Sequence, residues 1–149
     1  MESGIDGPGP GTEGVLAMMY STLLAAAAVN GTVFGLLFII VPDAAIALFG
    51  GKLDALSTAL VRQFGGVILG IAILDWLIRK VADPEVRRAV VAANVTAFAV
   101  VAAVAAFATV TGLINVLGWI VAGFHAMVAI GLLTTQWSRS GVGTRAQVR

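Results

Sequence analysis

Apolar residues gather in long runs along the chain, and the few polar breaks between them predict the elements. The first run extends from Val15 to Val41 and stops at Pro42, whose ring and missing N–H cannot continue a helix. At 1.5 Å per residue that run is ~40 Å long against a hydrocarbon core of ~30 Å, so tilt or a protruding end is expected. Asp43 to Phe49 is a short apolar stretch closed by Gly50 and Gly51, and it reads as a short helix lying in the interface. Asp54 or Ser57 can cap a second span from Ala55 to Ile78. Asp83 followed by Pro84 has the form of an N-cap with proline in the first turn, and starts a third span over about Arg88 to Val110. From Ala89 to Thr135 there is no charge, too long a stretch for one crossing of ~20 residues and enough for two. The turn falls at Thr111 to Asn115, where polar residues and glycine cluster, so the fourth span runs from about Asn115 to Gln136. The pattern predicts an all-α transmembrane four-helix bundle with a short interfacial helix between spans 1 and 2.

The flanks differ in kind. Residues 1–14 carry five Gly and two Pro among polar neighbours and read as a flexible tail. Their charges are Glu2, Asp6 and Glu13, with no basic residue, which argues against a secretory signal peptide. Residues 15–137 form the membrane domain, and residues 138–149 a polar, basic tail.

Composition supports this division and removes alternatives. Hydrophobic residues make up 59% of the 149 and charged residues 11%, whereas soluble domains carry about 45–50% and about 25%. That balance excludes a cytosolic enzyme, a disordered chain and a nucleic-acid binder. With no cysteine there is no disulfide, thiolate nucleophile or thiolate metal site, and one histidine cannot supply a bis-His haem within one copy. The net charge of +1 matters less than its distribution. Four spans place both termini and the middle loop on one side. That side holds Arg79, Lys80, Arg87, Arg88, Arg139, Arg145 and Arg149, against Lys52 and Arg62 on the other. The positive-inside rule puts the seven in the cytoplasm, an N-in/C-in topology. Trp76 and Trp137 then fall at the cytoplasmic interface and Trp119 near the outer one.

Candidate chemistry is sparse. Small residues mark expected helix contacts: Gly31 with Gly35, Gly66 with Gly70, and Gly118 with Ala122 and Ala126, within the chain or between copies. His125 shares a helical face with Gly118, Ala122 and Ala129, so it is expected to point at protein. It reads as a neutral imidazole bonded to a neighbouring helix, with a cofactor or ligand role as the alternative. By depth, Asn30 and His125 both lie ~15 Å below the outer boundary, with Arg62 and Gln63 slightly higher. Asn30, Arg62, Gln63 and His125 therefore form a candidate polar layer for a ligand, unless Arg62 snorkels to the headgroups. Asp75 and Arg79 have the spacing of an i,i+4 ion pair beside Trp76, and Asn94 that of an interhelical hydrogen-bonding residue. No paired acids, nucleophile–base pair, HExxH spacing or glycine-rich phosphate loop is present, so no catalytic residue and no metal ligand is assigned.

Leu60 to Leu74, with Arg62, Gly65, Gly66 and Gly70, then Arg87-Arg88, Asn94 and Asn115-Val116-Leu117-Gly118-Trp119, resembles small bacterial four-helix membrane proteins, DoxX-like in overall plan. The resemblance implies a four-helix bundle in a bacterial membrane and carries no catalytic residues to transfer. Two functions stay open at this point. One is a non-catalytic accessory or assembly subunit of a larger membrane complex, respiratory or photosynthetic, with lipids and other membrane subunits, or further copies, as partners and no nucleic acid. The other is binding or transport of a small hydrophobic or anionic molecule through the Asn30–Arg62–Gln63–His125 layer. Neither reading identifies a cofactor.

Overall fold

The computed structural model of the chain describes residues 10–143, with side chains over 11–136. It is all-helical: α1 Pro10–Ile40, α2 Pro42–Ala47, α3 Ala55–Ile78, α4 Pro84–Val110 and α5 Gly118–Gly143. The four long helices are each long and apolar enough to cross a membrane, and the chain is a multi-pass, four-helix membrane protein.

Local chemistry sets the boundaries. Val41, the residue before Pro42, leaves the helical region at φ −133° and ψ 58°, so α1 ends there and Pro42 opens α2. Gly50 closes that corner at φ +84°, a left-handed conformation that costs glycine nothing. The Asp54 carboxylate caps α3 by accepting from the Ser57 N–H at 2.7 Å, and Asp83 caps α4 by accepting from the N–H groups of Glu85 and Val86. Two expected boundaries are corrected. α1 starts at Pro10 and not at Val15, because proline is tolerated in a first turn and the glycines behind it cost only propensity. α5 continues past Gln136 to Gly143, so the first half of the basic tail is helical. The remainder of the two expected tails, residues 1–9 and 144–149, and the side chains of Trp137 and Arg139 lie outside the described residues.

α1 packs along α3, α4 packs along α5, and α1 touches α5, which joins the two pairs. The backbones of α3 and α4 stay apart. At one end lie the N-terminus of α1, the C-terminus of α5 and the α3–α4 connection. There Tyr20, Leu24 and Ala27 of α1 interlock with Val91 of α4 and Val128 and Leu132 of α5. At the other end the buried residues are Gly31, Gly35, Pro42, Ala45, Gly65, Ala105, Gly118 and Ala122, all small or, in Pro42, compact. Asn115 ties the loops of that end together: its N–H donates to Phe49 O at 2.9 Å and its Nδ2 to Leu48 O at 2.7 Å. Large apolar side chains such as Leu77, Val110 and Ile120 cover the outside, as a lipid-facing surface requires.

Candidate functional site

Buried polar side chains concentrate at the terminus-side end. Asp75 is 1% exposed, Thr135 2%, Asn94 7% and Arg87 8%, and the Tyr20 ring among them is 1% exposed. Helical spacing brings them inward: Gly65, Ala72 and Asp75 lie on one stripe of α3, and Arg87, Val91 and Asn94 on one stripe of α4. The Asn94 Nδ2 group donates to Asp75 Oδ1 at 2.9 Å and to Val90 O on its own helix at 3.2 Å. That first bond crosses the gap between α3 and α4, whose backbones do not meet. The Arg87 guanidinium lies over the Tyr20 ring at 4.0 Å from its centroid, a cation–π contact between α4 and α1. Tyr20 Oη is fully buried and has no hydrogen-bond partner among the described residues. Thr135 donates to Leu132 O and so satisfies its own hydroxyl.

The expected Asp75–Arg79 ion pair is not formed. Arg79 turns the other way, donating to Trp76 O and stacking over the Trp76 ring with its guanidinium carbon 3.6 Å from the centroid. Asp75 faces the interior and takes its donor from Asn94, an interhelical bond of the kind the sequence suggested for that asparagine.

The expected Asn30–Arg62–Gln63–His125 layer is not joined by any hydrogen bond or ion pair among the described residues. Asn30 and His125 are half-buried, while Arg62 and Gln63 are exposed on the outside of α3. His125 does touch protein: its ring makes edge contacts with Phe98 of α4 and Phe124, centroids 5.5 and 5.4 Å away. Its Nδ1 lies 2.7 Å from Val121 O. A carbonyl only accepts, so Nδ1 carries the proton and the imidazole bonds its own helix, not a neighbour.

The small residues divide into used and open. A Cβ at Gly31 would meet Ala72 Cβ at 3.0 Å, and one at Gly35 would meet Gly65 O at 3.0 Å, so these glycines let α1 and α3 approach. A Cβ at Gly118 would collide with the Thr109 and Ile114 side chains, and Ala122 is buried on the same face. Gly66 and Gly70 differ from expectation: a Cβ at either would meet nothing within 4 Å. The buried α3 stripe runs through Gly65 and Ala72, one register away, and leaves Gly66, Gly70 and Arg62 outside.

What sequence reasoning missed was the convergence of Tyr20, Asp75, Arg87 and Asn94. The available signal was spacing: Asp75 continues the Gly65–Ala72 stripe, and Asn94 lies two turns beyond Arg87. The cluster combines a carboxylate, an amide, a phenol and a guanidinium in an apolar surround, which suits proton or hydrogen-bond chemistry. Among the described residues no three His, Asp or Glu side chains come together to hold a metal.

Neither the curated proteins nor the solved structures contain a match to the chain. A family model does match residues 25–142, from the middle of α1 into the last turn of α5, and the chain belongs to that family, described as a domain of unknown function, DUF8292.

Proposed function

We propose that the protein is a non-catalytic accessory or assembly subunit of a larger membrane protein complex in the bacterial inner membrane, with both termini in the cytoplasm. The observation that carries this reading is the outer face of α3. Gly66 and Gly70 form a shallow strip with open space above it, and exposed Arg62 sits one turn away without a partner among the described residues. An arginine within a span costs ~2.5–3.5 kcal/mol even on the lenient insertion scale, and an acidic side chain from another helix offsets that cost. Small residues let such a helix come close. A two-fold pair of copies meeting on this strip would oppose Arg62 to Arg62, so the strip favours a different subunit. The four-helix plan is compatible with this reading and adds no partner to it.

The test is photo-crosslinking in native membranes from a probe at Gly66 or Gly70, with a probe at lipid-facing Phe107 as control. The expected result is one discrete protein adduct from α3, weakened by Arg62→Leu and absent from Phe107. Only lipid adducts at all three positions would reject the subunit reading. Because the chain has no cysteine, single cysteines at Gly51 and Gly143 report orientation directly. Labelling from opposite sides, with Gly143 inside, is expected.

A further inference from the structure

We propose that two copies of the chain pair through the outer edge of α1, with their Asn30 carboxamides hydrogen-bonded to each other across a two-fold axis. This inference goes beyond the subunit reading and uses a different face, so either can fail alone. It stands on an amide without a partner at a depth where water supplies none.

Asn30 lies within the α1 span, ~15 Å from the end of the helix at Ile40 and so near the middle of a ~30 Å hydrocarbon core. Its side chain is half-buried and makes no hydrogen bond among the described residues. Other polar side chains of the membrane domain are satisfied. Thr96, Thr109, Thr134 and Thr135 each donate to a carbonyl three or four residues earlier, and Asn94 bonds both Val90 O and Asp75. Lipid tails offer neither donor nor acceptor, so the Asn30 amide is satisfied only by another polypeptide group.

Thr22, Ala26 and Asn30 follow one another at four-residue intervals and form one ridge along α1. Thr22, Ala26 and Val33 are exposed, so the ridge runs along the outside of the bundle. The adjoining side chains turn inward: Leu23 sits against Gly131 of α5, and Leu24 and Ala27 lie in the core. The small side chains of Thr22 and Ala26 let a facing helix come close, and the Thr22 hydroxyl, like Asn30, makes no bond among the described residues.

The chemistry of the amide selects the occupant. A carboxamide donates through Nδ2 and accepts through Oδ1, so a second carboxamide facing it satisfies both in a reciprocal pair of N–H···O bonds. Copies inserted with the same topology bring Asn30 to Asn30 at equal depth, with Thr22 and Ala26 facing their counterparts, as an isologous two-fold contact requires. Nothing repels the approach, because no charged residue lies between Val15 and Val41. Arg62 on α3 would oppose itself under the same operation.

The test exploits the absence of cysteine from the chain. Ala26→Cys, oxidised in native membranes, should yield a covalent dimer of the chain, and Phe107→Cys, on the lipid-facing side of α4, should not. In lipid vesicles, energy transfer between copies labelled at a Gly51 cysteine measures the association. Asn30→Leu should raise the dissociation constant roughly three- to thirtyfold, the range for interhelical hydrogen bonds between membrane helices. The substitution puts an apolar side chain in place of an unsatisfied amide, so the single chain keeps its helix content. An Asn30→Leu protein of wild-type helix content that associates as tightly as wild type overturns the proposal. So does an Ala26 cysteine that stays monomeric or joins only a different protein.

Discussion

The two ends of the bundle pack by opposite means. At the terminus side, large side chains interlock: Tyr20, Leu24, Val128 and Leu132 fill the space between α1, α4 and α5, and Asp75, Asn94 and Arg87 are buried beside them. At the loop side almost nothing fills the space, because the helices themselves close it, Gly35 against Gly65 and Gly31 against Ala72. Lipid tails are as apolar as a core of leucine, so neither end is held by the hydrophobic effect that drives soluble folding. One end relies on dispersion contacts and polar bonds between side chains; the other relies on backbones brought near. The first end has atoms to lose, and the second has no room to gain any.

The strongest way to break that contrast is therefore a deletion at the terminus side. Leu132 is 0% exposed among the residues of the core cluster. Leu132→Ala should cost ~2–5 kcal/mol, the range for a leucine truncated in a packed interior. Reversible unfolding in mixed detergent micelles measures it. A loss as small as that of Leu133→Ala, on the exposed side of the same helix, would mean that the terminus-side core is not load-carrying.

Asn94→Leu comes next and probes the polar part of the same end. It removes the donor to Asp75 Oδ1 and with it the bond across the α3–α4 gap. A hydrogen bond to a charged group contributes ~1.5–3 kcal/mol, so a loss of that order is expected in the same unfolding assay. Asn94→Leu combined with Asp75→Leu should recover part of it, because no carboxyl is then left without a donor. Equal stability of the single and double variants would show that the bond contributes no more than the packing around it.

How much of this was legible in sequence follows from what a membrane helix advertises. Caps and breaks are local, and Asp54, Asp83-Pro84, Pro42 and the Thr111–Asn115 turn mark the spans with no knowledge of neighbours. The facing of each span is a different matter. In a soluble helix the polar side names the outside, but here lipid and core are both apolar, and the choice between Gly66–Gly70 and Gly65–Ala72 on α3 has no such guide. The first stripe would carry Arg62 inside with a polar layer at the loop side; the second leaves Arg62 outside. Depth arithmetic put Asn30, Arg62, Gln63 and His125 at similar levels, yet equal depth does not bring side chains onto facing surfaces. Spacing pairs Asp75 with Arg79, but the preference of Arg79 for the Trp76 ring is a rotamer choice that spacing does not encode.

That one-residue register gives a sharper test at the loop side. Gly65→Val places a Cβ 2.8 Å from Gly35 O and 2.9 Å from Phe38 Cβ. Forcing those apart should cost ~1–3 kcal/mol, as overpacking does in close-packed interiors. Gly66→Val enters open space, so the fold should change by no more than ~0.5 kcal/mol in the isolated protein. The pair is to be compared by unfolding and by detergent-solubilised yield. Equal penalties at the two positions would reject the α1–α3 register, and a reversed order would restore the Gly66–Gly70 stripe as the internal contact.

The smallest effect separates the two ends through the aspartates of a single helix. Asp75 sits buried near the C-terminal end of α3, whereas Asp54 caps its N-terminus at the loop side, fully exposed. The Ser57 N–H, 2.7 Å from Oδ1, holds the Asp54 carboxyl below its ordinary range. A carboxyl whose folded value is depressed binds its proton more weakly in the folded chain than in the unfolded one. Its contribution is then complete above the unfolded value of about 3.9 and is lost as pH falls through the folded value. Acidification into that window should therefore fray the first turn of α3 while the terminus-side packing around Leu24 and Leu132 is untouched. Amide exchange at Ser57 and Thr58, followed by NMR in micelles, reads that fraying. Asp54→Asn retains a neutral acceptor and should show a milder cap with no such acid dependence. If wild type and Asp54→Asn follow one exchange profile across the acid range, the cap is not what holds the loop-side start of α3.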